Sequence, residues 1–135
     1  MEKKEGKDRY VFTIPSLPPS MNSIYNIIFK LGRIYLKPEV KKWKDDAKFF
    51  MPPLQMDGWE RASIHLILSS SWYFKNGNRR KIDLQNLEKC IIDAVSEKAG
   101  VCDSIFFTKY SRKKCGEKDK IEVKIRRLRD DSKER

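Results

Sequence analysis

Asp83-Leu84-Gln85-Asn86-Leu87-Glu88-Lys89-Cys90-Ile91-Ile92-Asp93-Ala94-Val95 is the stretch on which the reading of the fold turns. Stepped at ~100° per residue, it divides into two faces. Leu84, Leu87, Ile91, Ala94 and Val95 fall together, flanked by Cys90 and Ile92, and form a core-facing stripe. Gln85, Asn86, Lys89 and Asp93 collect on the other side. Gln85 meets Lys89, and Lys89 meets Asp93, at i, i+4 spacing. Asp83 suits the N-cap and Gly100 the C-terminal stop, so a helix is expected over residues 83–98. Taken alone, the polar face is a solvated one with a Lys–Asp pair worth ~0.3–0.5 kcal/mol.

The residues before this helix give the polar face more interest. Arg79-Arg80-Lys81 is a basic cluster, preceded by the turn signal Asn76-Gly77. A carboxylate at a strand-to-helix junction beside phosphate-attracting cations suits a metal-dependent phosphodiesterase. Mg²⁺ would bind one or two carboxylates and a phosphate oxygen. A lysine one turn along the helix would stabilise charge building on the phosphate or leaving oxygen.

Outward from this point the chain alternates strands and helices. Residues 10–14 (YVFTI) read as a strand that stops at Pro15. The prolines of residues 16–22 exclude helix and central strand. Residues 33–37 suit one arm of a hairpin turning at Leu31-Gly32. Pro38 opens a helix over residues 39–51, with Val40, Trp43, Ala47 and Phe50 at helical spacing and Pro52-Pro53 ending it. Lys41, Lys42, Lys44 and Lys48 are assigned to its solvent face. Residues 61–74 read as one long strand, and residues 105–112 and 120–128 as the last two, with Lys113, Lys114 and Lys118 near the hairpin between them. The sum is an α+β domain: a mixed or antiparallel sheet of about four main strands with two packed helices. Residues 1–9 are expected to be a flexible tail, residues 10–128 the domain and residues 129–135 a charged tail.

Charge narrows the function. The 135 residues carry 30 Lys and Arg against 19 acids, a formal net charge of +11. At 36% the charged fraction exceeds the ~25% of ordinary globular chains. Such an excess is costly unless a polyanion offsets it, and nucleic acid is the leading partner; solubility alone is the bland alternative. An anionic membrane would call for a basic amphipathic helix, and none is apparent. Cys90, Cys102 and Cys115 form no CxxC pair and read as reduced thiols. The lone histidine, His65, sits between Ile64 and Leu66 and reads as a strand residue rather than a ligand. With one histidine, neither a Ser/His/Asp triad nor a His-rich metal site is supported, so any metal chemistry falls to carboxylates and to Mg²⁺ or Mn²⁺. Residues 1–9 lack an apolar signal core and no stretch approaches the ~18 apolar residues of a membrane span. A cytoplasmic, nucleoid-associated protein is expected.

The run Asp83-Leu84-Gln85-Asn86-Leu87-Glu88-Lys89, followed by Asp93-Ala94, resembles the D-x-D-N-x-x-K-x-x-x-D-A-L signature of RusA-type Holliday junction resolvases. Pro18-Pro19-Ser20-Met21-Asn22 is similar to that family's P-P-S-x-N motif. Arg33-Ile34-Tyr35-Leu36 and the helix after it resemble the R-x-Y-L stretch. Gly100-Val101 followed by Asp103-Ser104 sits where the family has an Asp-Asp pair before a strand. The resemblance runs over about residues 10–128. It implies Mg²⁺-dependent cleavage of four-way DNA junctions by a homodimer using three aspartates and a lysine. By position, Asp83, Lys89 and Asp103 are the catalytic candidates, and Asp83, Asp103 and Gln85 the metal candidates. Lys75, Arg79, Arg80 and Lys81 are assigned to nucleic acid, and Asn22 lies near the site by resemblance. Gln85 and Ser104 stand where the pattern has acids. Slippage by one residue around residues 100–104 would let Asp103 take the place of the missing acid.

Three readings stay open at this level. The chain cuts branched DNA with Mg²⁺ or Mn²⁺. Or it has lost the metal and grips junctions without cutting, phosphates held by Lys75, Arg79, Arg80, Lys81 and Lys89. Or it belongs to a ribonucleoprotein, with Trp72-Tyr73-Phe74 stacking bases beside the basic cluster.

Overall fold

The computed structural model describes residues 7–19, 25–28, 33–36 and 38–129. Along them run β1 (Arg9–Ile14), β2 (Tyr25–Ile28), β3 (Arg33–Leu36), α1 (Pro38–Lys48), β4 (Ala62–Ser70), α2 (Leu84–Ala99), β5 (Phe106–Cys115) and β6 (Lys120–Arg127). Strands β1, β6, β4 and β5 form one sheet in that order, and β2 and β3 form a separate antiparallel ribbon. β4 is parallel to β5 and antiparallel to β6. The architecture is α+β, a mixed four-stranded sheet with two helices, as the sequence predicts.

Two-residue alternation builds one covered face. Ile121, Val123 and Ile125 of β6 are fully buried, while Lys120, Lys124 and Arg126 are exposed. Register aligns Tyr10, Ile125 and Ile64 in one row, Phe12, Val123 and Leu66 in the next, and Ile14, Ile121 and Leu68 in a third. Both helices join these rows in a single core, α1 through Val40, Trp43 and Ala47 and α2 through Leu87, Ile91, Ala94 and Val95. Truncating a central member such as Leu66, fully buried, should cost ~2–5 kcal/mol.

The parallel pairing explains why β5 and β6 do not form the expected hairpin. Parallel neighbours need a crossover, and α2 supplies it between β4 and β5. β6 then returns on the far side of β4. The connecting loop crosses the end of β4, where the Gly116 N–H donates to the Ser70 carbonyl at 3.0 Å and the Ser70 hydroxyl donates to Asp119 at 2.6 Å. A Cβ on Gly116 would lie 3.3 Å from that of Ser69, so the close approach favours glycine. Lys113 and Lys114 accordingly belong to β5, not to a hairpin turn.

Other boundaries shift for local reasons. α1 ends at Lys48, because the next N–H groups bond three residues back: Phe49 to Asp46, Phe50 to Ala47 and Met51 to Lys48. The tighter turn swings Phe50 out to 51% exposure, and Met51, Leu54, Met56 and Trp59 fill the core instead. Lys44 is buried rather than solvated, since it shares the stripe of Val40, Trp43 and Ala47; Glu97 of α2 pairs with it. β4 stops at Ser70, four residues before the expected end. Trp72 folds inward while Tyr73 and Phe74 stay exposed. No helix among the described residues is long and apolar enough to cross a membrane.

Candidate functional site

Beyond Ser70 the chain makes a small hairpin that presents the basic cluster. The Trp72 indole donates to the Lys114 carbonyl at 2.8 Å and anchors its base. Arg80 N–H bonds the Trp72 carbonyl at 2.9 Å, and Phe74 N–H bonds that of Asn78 at 2.8 Å. The Asn76-Gly77 tip closes with Gly77 at φ 87, a conformation that favours glycine. Lys75 is exposed in that tip. Arg79 and Lys81 are exposed, and the Arg80 guanidinium donates to the Ser71 carbonyl at 2.8 Å. A hollow of about 360 Å³ is lined by Arg79, Arg80, Lys81, Ile82, Asp83 and Lys113. Lys113 is held there in two ways: its ammonium lies 4.9 Å from the Trp72 ring centroid and donates to the Ile82 carbonyl.

Asp83 caps α2. Its backbone is extended, and one carboxylate oxygen accepts the Gln85 N–H at 2.9 Å. Gly100 at φ 70 terminates the helix. Between these caps the core stripe is as expected, with Leu87, Cys90, Ile91, Ile92, Ala94 and Val95 buried and Leu84 partly buried.

The polar face of α2 forms a wall of a second hollow, of about 380 Å³, lined by Gln85, Asn86, Glu88, Lys89, Ile92, Asp93, Asp103 and Lys109. Asp103 comes from the 3-10 turn Asp103–Ile105 that follows α2, and Lys109 from β5. A hydrogen bond at the helix cap links the two linings: Asp83 lines the basic hollow and Gln85 the mixed one. Burial pushes the Asp93 carboxyl above its ordinary value; Lys44 opposes the rise, Asp103 adds to it and Lys89 opposes it. The Ser111 hydroxyl donates to Glu88 and fixes that carboxylate against β5. Ser104 turns its hydroxyl to the Cys102 sulfur at 3.2 Å.

The family resemblance implies a divalent cation. Among the described residues, no group of three or more His, Cys, Asp or Glu side chains could hold one. The cleft nonetheless offers hard oxygen donors in Asp103, Asp93 and the Gln85 amide. Mg²⁺ takes one or two carboxylates, keeps several waters and completes its shell with substrate phosphates. Part of the rise at Asp93 comes from the Asp103 charge, a repulsion that a cation relieves. These residues fit a cation shared with a bound phosphate rather than one caged by the protein alone.

The site residues named from sequence therefore fall into two groups. Lys89, Asp103 and Gln85 share the mixed cleft, while Asp83, Arg79, Arg80 and Lys81 share the basic hollow. Lys75 stands beyond both in the hairpin tip, and Asn22 lies outside the described residues. Sequence reading missed Lys109, Ser111 and Glu88, and placed Lys113 near a hairpin turn, to touch DNA or only solvate the turn, rather than on β5 in the basic hollow. Their signal is the period of β5: Lys109, Ser111 and Lys113 pair with Ile64, Leu66 and Leu68, so they share the helix-side face of the sheet.

No curated protein matches the chain. A family model described as endodeoxyribonuclease RusA matches residues 16–126, a span that takes in the Pro-Pro segment, the basic hairpin, α2 and the Asp103 turn. The chain belongs to the RusA endodeoxyribonuclease family.

Proposed function

We propose that this protein is a structure-specific endonuclease that cuts four-way DNA junctions with Mg²⁺ or Mn²⁺ in recombination and repair. One observation carries the reading: the polar face of α2 meets Asp103 and Lys109 in a cleft that adjoins a hollow rimmed by Arg79, Arg80, Lys81 and Lys113. Phosphates of a junction arm are gripped by that rim and by Lys75, with charge neutralisation and counterion release driving the association. By the family pattern Asp103, Gln85 and Asp83 are the residues that would hold the metal, with Asp93 lining the same cleft as Asp103 and Gln85; a bound metal would supply a Lewis acid at the scissile phosphate. Lys89, one turn along α2, brings positive charge to where negative charge develops. Asn22 belongs with this site by the family pattern. The active form is a homodimer, because a junction presents two equivalent strands, and its place is the cytoplasm, with the nucleoid.

Gln85 and Ser104, neutral where the family pattern has acids, support a second reading in which the cleft binds junctions without cutting them. An end-labelled four-way junction, incubated with Mg²⁺, Mn²⁺ or EDTA and run on native and denaturing gels, separates the two. Paired nicks near the crossover, present with metal and absent in EDTA, are expected. A junction-specific shift with no nick under any metal would overturn the nuclease reading in favour of binding alone.

A further inference from the structure

The sheet has a second face, turned away from both helices. Register places Arg9, Arg126, Ser63 and Thr108 in one row across it, Val11, Lys124, His65 and Tyr110 in the next, and Thr13, Glu122, Ile67 and Arg112 in a third. Val11 is 57% exposed and Tyr110 49%. Phe107, thrown outward by the register shift between Ala62 and Ser63, is 64% exposed. A hollow of about 250 Å³ opens on this face, with Arg9, Val11, His65, Lys124 and Arg126 in its lining. Val11 lies on one edge strand and Tyr110 on the other, with Lys124 and His65 between them, so the face interleaves exposed apolar and aromatic side chains with cations.

Charge and ring geometry select the occupant. Among the described strand residues, Arg9, Arg126, Lys124, Lys120, Arg112 and Lys114 share the face with one acid, Glu122, which lies 3.8 Å from Lys120. A second copy docked by two-fold symmetry would set this cationic surface against itself. A polyanion complements it. The aromatics sit among the cations: the His65 and Tyr110 rings lie 5.4 Å apart, and the Arg61 guanidinium lies 5.6 Å from the Phe107 centroid. Exposed rings on a sheet flanked by cations suit a single strand, whose bases offer π-faces that a duplex keeps stacked.

We propose that this open sheet face is a second nucleic-acid site, which holds a single-stranded segment. Its bases stack on Tyr110 and Phe107, and its phosphates meet Arg9, Lys124 and Arg126. The site lies across the sheet from the α2 cleft and does not depend on how that cleft acts. A strand held there would be a flap or gap adjoining the branched duplex.

Fluorescence anisotropy of the full chain in EDTA tests this, using labelled oligo(dT), labelled oligo(rU) and a labelled four-way junction. Tyr110→Ser should weaken oligo(dT) binding about tenfold, within the range for removing the ring beneath one stacked base. Tyr110→Phe should retain it, and junction affinity should stay within a factor of about two in both variants. Lys124→Glu should weaken oligo(dT) binding and flatten its salt dependence, by roughly 0.7 in slope for each phosphate no longer neutralised. Arg79→Glu should do the reverse, lowering junction affinity and sparing oligo(dT). Tighter binding of oligo(rU) would keep the single-strand site and name RNA as its source. The proposal is overturned if the wild-type chain binds neither oligonucleotide or if Tyr110→Ser and Lys124→Glu leave affinity unchanged. A drop in sedimenting mass for Tyr110→Ser would overturn it too, since the face would then join two copies of the chain. Junction binding that persists through any of these outcomes leaves the cleft reading standing.

Discussion

The Asp83 carboxylate accepts the backbone N–H of Gln85 at 2.9 Å, a bond that ties a residue lining the basic hollow to one lining the mixed cleft. The acid expected to act on DNA is also the cap that starts the helix carrying the rest of the cleft. Its structural and chemical roles can be separated, because asparagine caps a helix about as well as aspartate, whereas alanine does not.

Asp83→Asn should therefore keep its thermal midpoint while losing junction cleavage, whereas Asp83→Ala should lose both, with ~1 kcal/mol of stability gone with the cap. Thermal melts alongside the gel assay check this. Full cleavage by Asp83→Asn would remove Asp83 from the chemistry and leave it a cap.

Much of this site is legible in the sequence, and the limits have a physical cause. α2 is readable from Asp83 to Gly100 because caps and the 3.6-residue period are local signals. The polar stripe of Gln85, Asn86, Lys89 and Asp93 looks like a solvated face; only the docking of Asp103 and Lys109 turns it into a cleft wall. That docking depends on β5 lying parallel to β4, a pairing with no local signature. Lys44 misleads because a lysine on an apolar stripe reads as solvated until its partner, Glu97 on another helix, is in place. Phe50 misleads because the last turn of α1 tightens.

In the proposed metal-dependent reading, the neutral Gln85 and Ser104 weaken the hold on metal relative to the family's acids. Gln85 already lines the cleft, so Gln85→Asp adds a charge without moving backbone. Affinity for hard cations rises with ligand charge, so the Mg²⁺ concentration for half-maximal cleavage should fall on the order of tenfold. Adding Ser104→Asp should contribute less, because that hydroxyl is turned to the Cys102 sulfur. A metal titration of junction cleavage decides. An unchanged midpoint for Gln85→Asp would place the metal away from this part of the cleft.

Burial also protects one thiol. It pushes the Cys90 thiol up to about 12, with Lys44 opposing and Asp93 and Glu97 adding to the rise. Cys102 and Cys115 are exposed. A thiol reagent at neutral pH should label Cys102 and Cys115 in the folded protein, and Cys90 only after denaturant is added. Mass spectrometry of the labelled peptides reads this, and rapid native labelling of Cys90 would mean that α2 opens readily.

The pair Glu97 and Asp93, one turn apart on α2, should respond oppositely to neutralisation. Burial tends to raise the Glu97 carboxyl, but hydrogen bonds from Lys44 and Lys48, and their charges, bring it below its ordinary 4.5. The ionised form is thus favoured by folding, and its stabilisation is present above pH 4.5 and lost as pH falls through the folded value. Glu97→Gln should lower stability at neutral pH by ~1–2 kcal/mol, chiefly by stranding the buried Lys44 ammonium, with solvent screening limiting the loss. Asp93 is raised above 3.8, so its ionised form is disfavoured by folding, and the wild-type protein loses stability as pH climbs from below 3.8 through the folded value. Asp93→Asn does not titrate. It should melt with the wild type in acid and above it at neutral pH, by no more than the ~4 °C that about 1 kcal/mol brings to a domain of this size. Melts of both variants across this pH range provide the check. A lower neutral-pH midpoint for Asp93→Asn would mean that attraction to Lys44 and Lys89 outweighs burial and the Asp103 charge.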